Sequence, residues 1–157
     1  MARLYGRCRR GERLIGYVPH GHWKTTTFVA ALRQGAVIAP WVVDGAINGD
    51  CFRAYVNQCL VPTLCHGDIV VMDNLASHKV VGVRDSIEAT GAQLLYLPPY
   101  SPDFNPIEMV FAKLKASLRC AAERSIQALW KNIGSLLHSF SPSECSRYFA
   151  HAGYVSN

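Results

Sequence analysis

No stretch of this 157-residue chain approaches the ~20 consecutive apolar residues of a membrane helix, although half of its residues are hydrophobic. The expectation is a protein without a membrane partner. The basic opening, MARLYGRCRRGERL, has no apolar segment behind it and so does not read as a secretory leader. No C-x-x-C pair occurs among Cys8, Cys51, Cys59, Cys65, Cys120 and Cys145, which argues against a disulfide framework and for reduced thiols in the cytoplasm. Internal repeats and low-complexity tracts are absent too. Residues 1–11 contain no acid at all, an absence that gains weight below. What remains is a length suited to one domain with a buried core.

The net charge of +5 is unevenly spread. Residues 1–35 hold seven Lys/Arg against one acid, residues 36–110 hold three against eight, and residues 111–157 hold six against two. Basic ends suit a polyanion such as nucleic acid, and an acidic middle suits bound cations. A mixed solvated surface explains the same charges equally well.

The apolar pattern predicts two strands, Trp23–Arg33 and Ala36–Gly45, turning at Gly35, with Pro40 marking a bulge or an edge. Phe52, Tyr55, Val56, Cys59 and Leu60 follow at helical spacing. GDIVVMDN, residues 67–74, reads as a strand buried on both faces. VVGVRDSIEATG is a short helix stopped by Gly91, and AQLLYLPP is a second buried strand. Beyond Pro106, Ile107, Val110, Phe111, Leu114 and Leu118 share one helical face. A further helix carries Ile126, Leu129, Trp130, Ile133, Leu136, Leu137 and Phe140, and SPSE at 141–144 caps a last short helix. Strands alternating with helices imply parallel pairing and an α/β layer fold.

Two carboxylates stand out. Asp73 follows four apolar residues at the C-terminal end of a strand, where open α/β sheets gather ligands. A turn cap shared with Asn74 is the plainer alternative. Glu108 follows YLPPYSPDFNPI, in which Pro98, Pro99, Pro102 and Pro106 fix four φ angles within nine residues. Asn105 at N-cap, Pro106 at N1 and Glu108 at N3 resemble a capping box. Ser141, Pro142 and Glu144 repeat that arrangement with no sign of chemistry, so the cap alone does not account for the stiffened approach. Along the helix, Glu108, Ala112, Lys115 and Arg119 fall on one face, a carboxylate followed by two cations that could track a phosphate backbone. A plain solvated face fits as well.

VVMDNLASHK (70–79) together with YLPPYSPDFNPIEMVFAKLK (96–115) resembles the catalytic core of DDE transposases, in the bacterial insertion-sequence branch of the mariner superfamily. The 34 residues between Asp73 and Glu108 match that superfamily's D-34-E spacing. VPHGHWKTTTF, DGAINGDCFRAYV and HAGY also resemble the branch. The resemblance implies an RNase H-like α/β fold, a mixed sheet flanked by helices. It implies Mg²⁺- or Mn²⁺-dependent cleavage of DNA at transposon ends followed by strand transfer, near a bacterial nucleoid. Asp73 and Glu108 would be catalytic and would hold the ions through hard carboxylate oxygens. Lys24, His78, Lys79, Lys115 and Arg119 would meet DNA, with Asn74, Ser101 and Asn105 as motif support.

The resemblance also implies a third acid on a first, central strand, and here the matching region begins after that strand. Asp44 ends an apolar run but falls in a different segment of the pattern. The expectation is therefore a single partial domain over 1–157, without its central strand, its first Asp or an N-terminal helix-turn-helix. Its two-ion site would be complete only in the whole domain. Such a chain would be inactive alone, partnered by a second copy or by a complementing N-terminal fragment. The alternative is a non-catalytic DNA-binding or inhibitory partner of a full-length transposase. Metal sites at His20 and His22, or at Cys59, Cys65 and His66, lack zinc spacing and are disfavoured.

Overall fold

The computed structural model describes residues 6–15 and 25–154. Trp23, Lys24, His20 and His22 lie outside the described residues. Strand β1 (Thr26–Arg33) and strand β2 (Ala36–Asp44) form an antiparallel pair. Gly35 turns the chain at φ +103°, a conformation that side chains with a Cβ rarely adopt. The register slips between Val29 and Ala31, where Ala39 (φ +48°) and Pro40 together face Ala30, so the bulge expected at Pro40 is there.

Helix α1 (Gly49–Tyr55) starts at Asn48, whose side chain accepts from the Cys51 N–H at 2.8 Å. It runs on through a π turn at Val56–Leu60 and a 3₁₀ turn at Val61–Thr63. Strand β3 (Ile69–Met72) pairs in parallel with β4 (Gln93–Tyr96), and helix α2 (Val83–Glu88) crosses between them. Then come α3 (Ile107–Ala121), α4 (Ile126–Leu137) and α5 (Pro142–His151). The element order read from the pattern is the one observed.

Among the described residues the four strands form two separate two-stranded sheets, β1–β2 and β3–β4. No backbone ladder joins them. Side chains do: Arg33, ending β1, pairs with Asp68 and donates to the Thr63 carbonyl at 3.1 Å, just ahead of β3. Asp68 also accepts from the Cys65 N–H at 2.8 Å. That bond, with Arg33 beside it, holds the Asp68 carboxyl below its usual range.

One apolar cluster joins Phe52, Tyr55, Val56 and Leu60 to Met72, Val83, Ile87 and Leu94, tying α1 and α2 to the inner face of β3–β4. A second, smaller cluster of Val110, Phe140 and Cys145 ties α3 and α5 to Leu32 and Val37 of β1–β2. Full burial of side chains such as Val56, Val83 and Ile87 contributes about 1.5–3 kcal/mol each.

The outer face of β3–β4 departs from expectation. Ile69 is 59% and Leu95 52% exposed, so neither strand is buried on both faces. A parallel pair is normally covered on both sides; here α3 packs instead over β1, with Phe111 edge-on to Phe28 at 6.1 Å. The α4 stripe is likewise only partly used. Ile133 is buried, whereas Trp130 is 39% exposed. An apolar cleft of about 520 Å³ opens between β1, α3 and α4, lined by Phe28, Phe111, Leu114, Leu118, Leu129 and Ile133.

Candidate active site

Parallel pairing sends the chain out of β3 and β4 at the same end. The Leu97 N–H donates to the Met72 carbonyl at 2.8 Å, which extends the pairing to the last residue before Asp73. Asp73 therefore leaves β3 beside the point where β4 runs into the proline-rich loop leading to Glu108. Asp73 and the start of the loop to Glu108 thus leave from one sheet end, the place where α/β sheets present ligand groups.

Asp73 is held from the following turn. His78, on the 3₁₀ turn Ala76–Lys79, brings Nδ1 against Asp73 Oδ1. The contact is out of line for a regular hydrogen bond, and both atoms are buried with no other partner. Asn74 Oδ1 and the Tyr55 hydroxyl are buried and unpartnered as well. Burial pushes the Tyr55 hydroxyl's pKa well above its usual value, with the nearby Cys59 adding to the rise. Unsatisfied buried oxygens are costly, and they collect where a bound group would satisfy them.

Glu108 is exposed in the first turn of α3. The helix starts one residue later than expected: Pro106 occupies the cap position and makes no side-chain capping bond. Asn105 contributes its backbone carbonyl, which accepts from the Glu108 N–H at 3.1 Å. The capping box expected around Asn105 is thus not formed, because a 3₁₀ turn at Pro102–Phe104 already sets the approach. Tyr154 strengthens that approach, its hydroxyl donating to the Phe104 carbonyl at 3.0 Å. Glu108 lines a cleft of about 210 Å³ with Asp103, Asn105, Met109, Ala112 and His151. Asp73 is not among the residues lining it, and no ion pair engages Glu108 among the described residues.

The remaining predicted residues divide. Lys79 is exposed, its Nζ 5.5 Å from the Tyr96 ring centre. Lys115 and Arg119 are exposed on α3, with Arg119 Nε donating to the Lys115 carbonyl. Ala112 faces the Glu108 cleft, whereas Lys115 borders the larger apolar one, so the expected single stripe spans two surfaces. Ser101 donates to the Pro99 carbonyl at 3.3 Å and shapes the loop. Among the described residues no three His, Cys, Asp or Glu side chains gather at metal-ligand spacing, Cys59, Cys65 and His66 included.

Three residues not singled out from the sequence support the site. Phe52 stacks on His78 with ring centres 4.2 Å apart. Tyr96 donates to the His78 carbonyl at 2.9 Å, and Tyr154 holds the loop before Glu108. All three lie within the motifs that carry the resemblance, Phe52 in DGAINGDCFRAYV, Tyr96 at the start of YLPPYSPDF and Tyr154 at the end of HAGY, but nothing in those motifs marked them as supports.

The donor set suits a hard divalent cation in kind. Carboxylate and amide oxygens are what Mg²⁺ prefers; Asn74 Oδ1 is buried without a donor, and the Asp73 side chain, its Oδ1 against His78, is 38% exposed.

Comparison with solved structures first defines the class. The chain is similar to a pre-cleavage Mos1 transpososome, with a TM-score of 0.77 and 19% identity over 94% of this chain and 47% of the other. It is also similar to the catalytic domain of Mos1 mariner transposase (TM-score 0.66, 20% identity, 81% and 74% covered). A third similar structure is that of the same catalytic domain and Raltegravir with Mg (TM-score 0.66, 20% identity, 81% and 75% covered). The chain spans about half the length of the transpososome protein. The fold is RNase H-like, with small sheets flanked by helices. The family described as DDE superfamily endonuclease matches residues 1–129, and the chain belongs to that family. No curated protein matches the chain in sequence.

Proposed function

We propose that the chain is the greater part of a transposase catalytic domain that cleaves DNA phosphodiester bonds and transfers the resulting strand, using Mg²⁺ or Mn²⁺. The observation that carries this reading is the exit of Asp73 and of the loop to Glu108 from one end of a parallel pair. A divalent ion there would supply charge neutralisation and an activated oxygen nucleophile. Asp73 and Glu108 are its protein ligands, and the stiffened loop holds Glu108 toward them. Lys79, Lys115, Arg119 and Lys24 meet the phosphate backbone, and Asn74, Ser101 and Asn105 keep the loops in shape. Transposon ends and target DNA are the partners, in a bacterial insertion-sequence setting.

The 157 residues form one partial domain and are inactive alone. Supporting this, β1 and β3 each keep an unpaired edge, and no three His, Cys, Asp or Glu side chains gather at metal-ligand spacing, both among the described residues. An extended strand ending in Asp, from a complementing N-terminal fragment or a second copy, would join the two sheets and supply that acid. A second reading, a non-catalytic DNA-binding or inhibitory partner, draws on the same open edges and on the exposed Lys115 and Arg119.

The test incubates the purified chain with DNA and Mg²⁺ or Mn²⁺, with and without an N-terminal extension bearing such a strand. Salt-sensitive binding without nicking is expected from the chain alone. Nicking is expected from the extended form, and Asp73→Asn or Glu108→Gln should abolish it. Nicking by the unextended chain that Asp73→Ala removes sinks the partial-site reading. Nicking indifferent to Asp73 sinks the metal assignment, and binding without nicking in both forms favours the second reading.

A further inference from the structure

His78 is fixed from three separate elements. Its ring lies on Phe52 of α1 at 4.2 Å between centres and 27° between planes. Its carbonyl accepts from Tyr96 at the end of β4. Its Nδ1 lies against Asp73 Oδ1 at the end of β3, and neither atom makes a hydrogen bond among the described residues. Phe52 is itself only 4% exposed, so the imidazole has an immobile wall behind it. Oδ1 is buried, yet the Asp73 side chain as a whole is 38% exposed, which places the open part of the carboxylate on the Oδ2 side.

We infer that His78 is a positioning residue which occupies Oδ1 of Asp73 and leaves that carboxylate a one-oxygen metal ligand presenting Oδ2. This rests on the reading of Asp73 as a ligand. The physical reasoning is direct. A free carboxylate rotates about its Cβ–Cγ bond and can offer both oxygens; one whose Oδ1 is blocked by a wedged imidazole cannot. An ion bound there would then meet one pre-aimed oxygen, Oδ2, rather than two. Only the Nε2 edge of His78 is left for DNA, since Nδ1 is spent on Asp73. Partners of this kind, one layer behind the ligand, typically affect metal affinity by about 10–100-fold.

The test uses the full chain with Mn²⁺ as probe, its binding followed by electron paramagnetic resonance. Asp73→Asn is the control: if Mn²⁺ binding survives it unchanged, the metal assignment of Asp73 fails, and this inference with it. With that control satisfied, His78→Ala is expected to weaken binding about 10–100-fold. His78→Asn, whose amide N–H reaches the place of Nδ1, is expected to restore most of the loss. Phe52→Leu keeps the imidazole, removes its wall and is expected to give an intermediate loss; it also serves should His78→Ala fail to fold. Nitrogen NMR of the metal-free wild-type chain is expected to place the neutral ring's proton on Nδ1. The inference is overturned by a proton on Nε2 instead, by unchanged or tighter Mn²⁺ binding in His78→Ala, or by nitrogen hyperfine coupling from His78 to the ion, which would make it a ligand.

Discussion

Two helix starts in this chain share a local pattern and meet opposite fates. Asn105-Pro106-Ile107-Glu108 and Ser141-Pro142-Ser143-Glu144 both read as a polar cap, a proline and an acid three residues on. At α5 the pattern does what it promises. The Ser141 hydroxyl accepts from the Glu144 N–H at 3.2 Å, and the Glu144 carboxylate accepts from Lys113 at 2.8 and 2.9 Å and from the Tyr148 hydroxyl at 2.6 Å. Lys113 sits 4.5 Å over the Phe140 ring, so the acid fastens α5 to α3 beside the second apolar cluster. At α3 there is no side-chain cap, and Glu108 stands exposed at the mouth of a cleft. An acid whose two oxygens accept three hydrogen bonds holds a fold together. An acid held in place by its backbone, with its oxygens uncommitted, is available for chemistry.

The largest way to sharpen this contrast is Glu108→Gln in a domain completed by the extra strand. DNA cleavage is expected to fall about 10³-fold, the scale of losing several kcal/mol of metal-borne charge stabilisation. Thermal stability should stay within about 0.5 kcal/mol of wild type, as for an unpaired surface residue. Calorimetry alongside a nicking assay separates the two effects, and a large loss of stability would erase the distinction drawn here. Glu144→Ala should do the reverse. Denaturant unfolding should show a loss of about 2–3 kcal/mol, since Lys113 and Tyr148 lose their shared acceptor. Ser141→Ala should cost about 1 kcal/mol in the same measurement.

A pH titration probes the comparison without mutation at either cap. The Lys113 bond, then the Tyr148 bond, holds the Glu144 carboxyl below its ordinary value of 4.5. Its folded-state pKa is depressed, so its contribution is fully present above pH 4.5 and is lost as pH falls through the lower folded value. Glu144→Gln should flatten that acid limb of the stability curve. The smallest effect is expected from Asn105→Ala, a few tenths of a kcal/mol by urea midpoint, because the cap side chain is not engaged. A loss near 1 kcal/mol would make the two helix starts alike after all.

Much of the fold was legible because the periods of the apolar residues are clean. The alternation of β1 and β2 with the helical stripes of α1 and α3 set the element order, and the paired motifs around Asp73 and Glu108 set the family. What was misread depends on partners remote in sequence. GDIVVMDN looks like a doubly buried strand because its run is continuously apolar, yet whether Ile69 is covered depends on where α3 lands, and α3 lands on Phe28. The box at Asn105 is not formed: its side chain makes no capping bond, and Pro106 holds the cap position. Phe52 and Tyr96 lie in the family-like motifs, yet their role beside His78 did not show, since aromatic residues at helical or strand spacing read simply as core.

The sequence by itself determined the kinds of element, their order and the two acids on offer, because periodicity, proline placement and motif spacing are properties of neighbouring residues. Only the tertiary structure decided which acid is consumed by packing and which stays open, that two sheets stand unjoined among the described residues, and that an imidazole backs one oxygen of Asp73. Those outcomes depend on distances between segments that touch only after folding, and no local pattern encodes them.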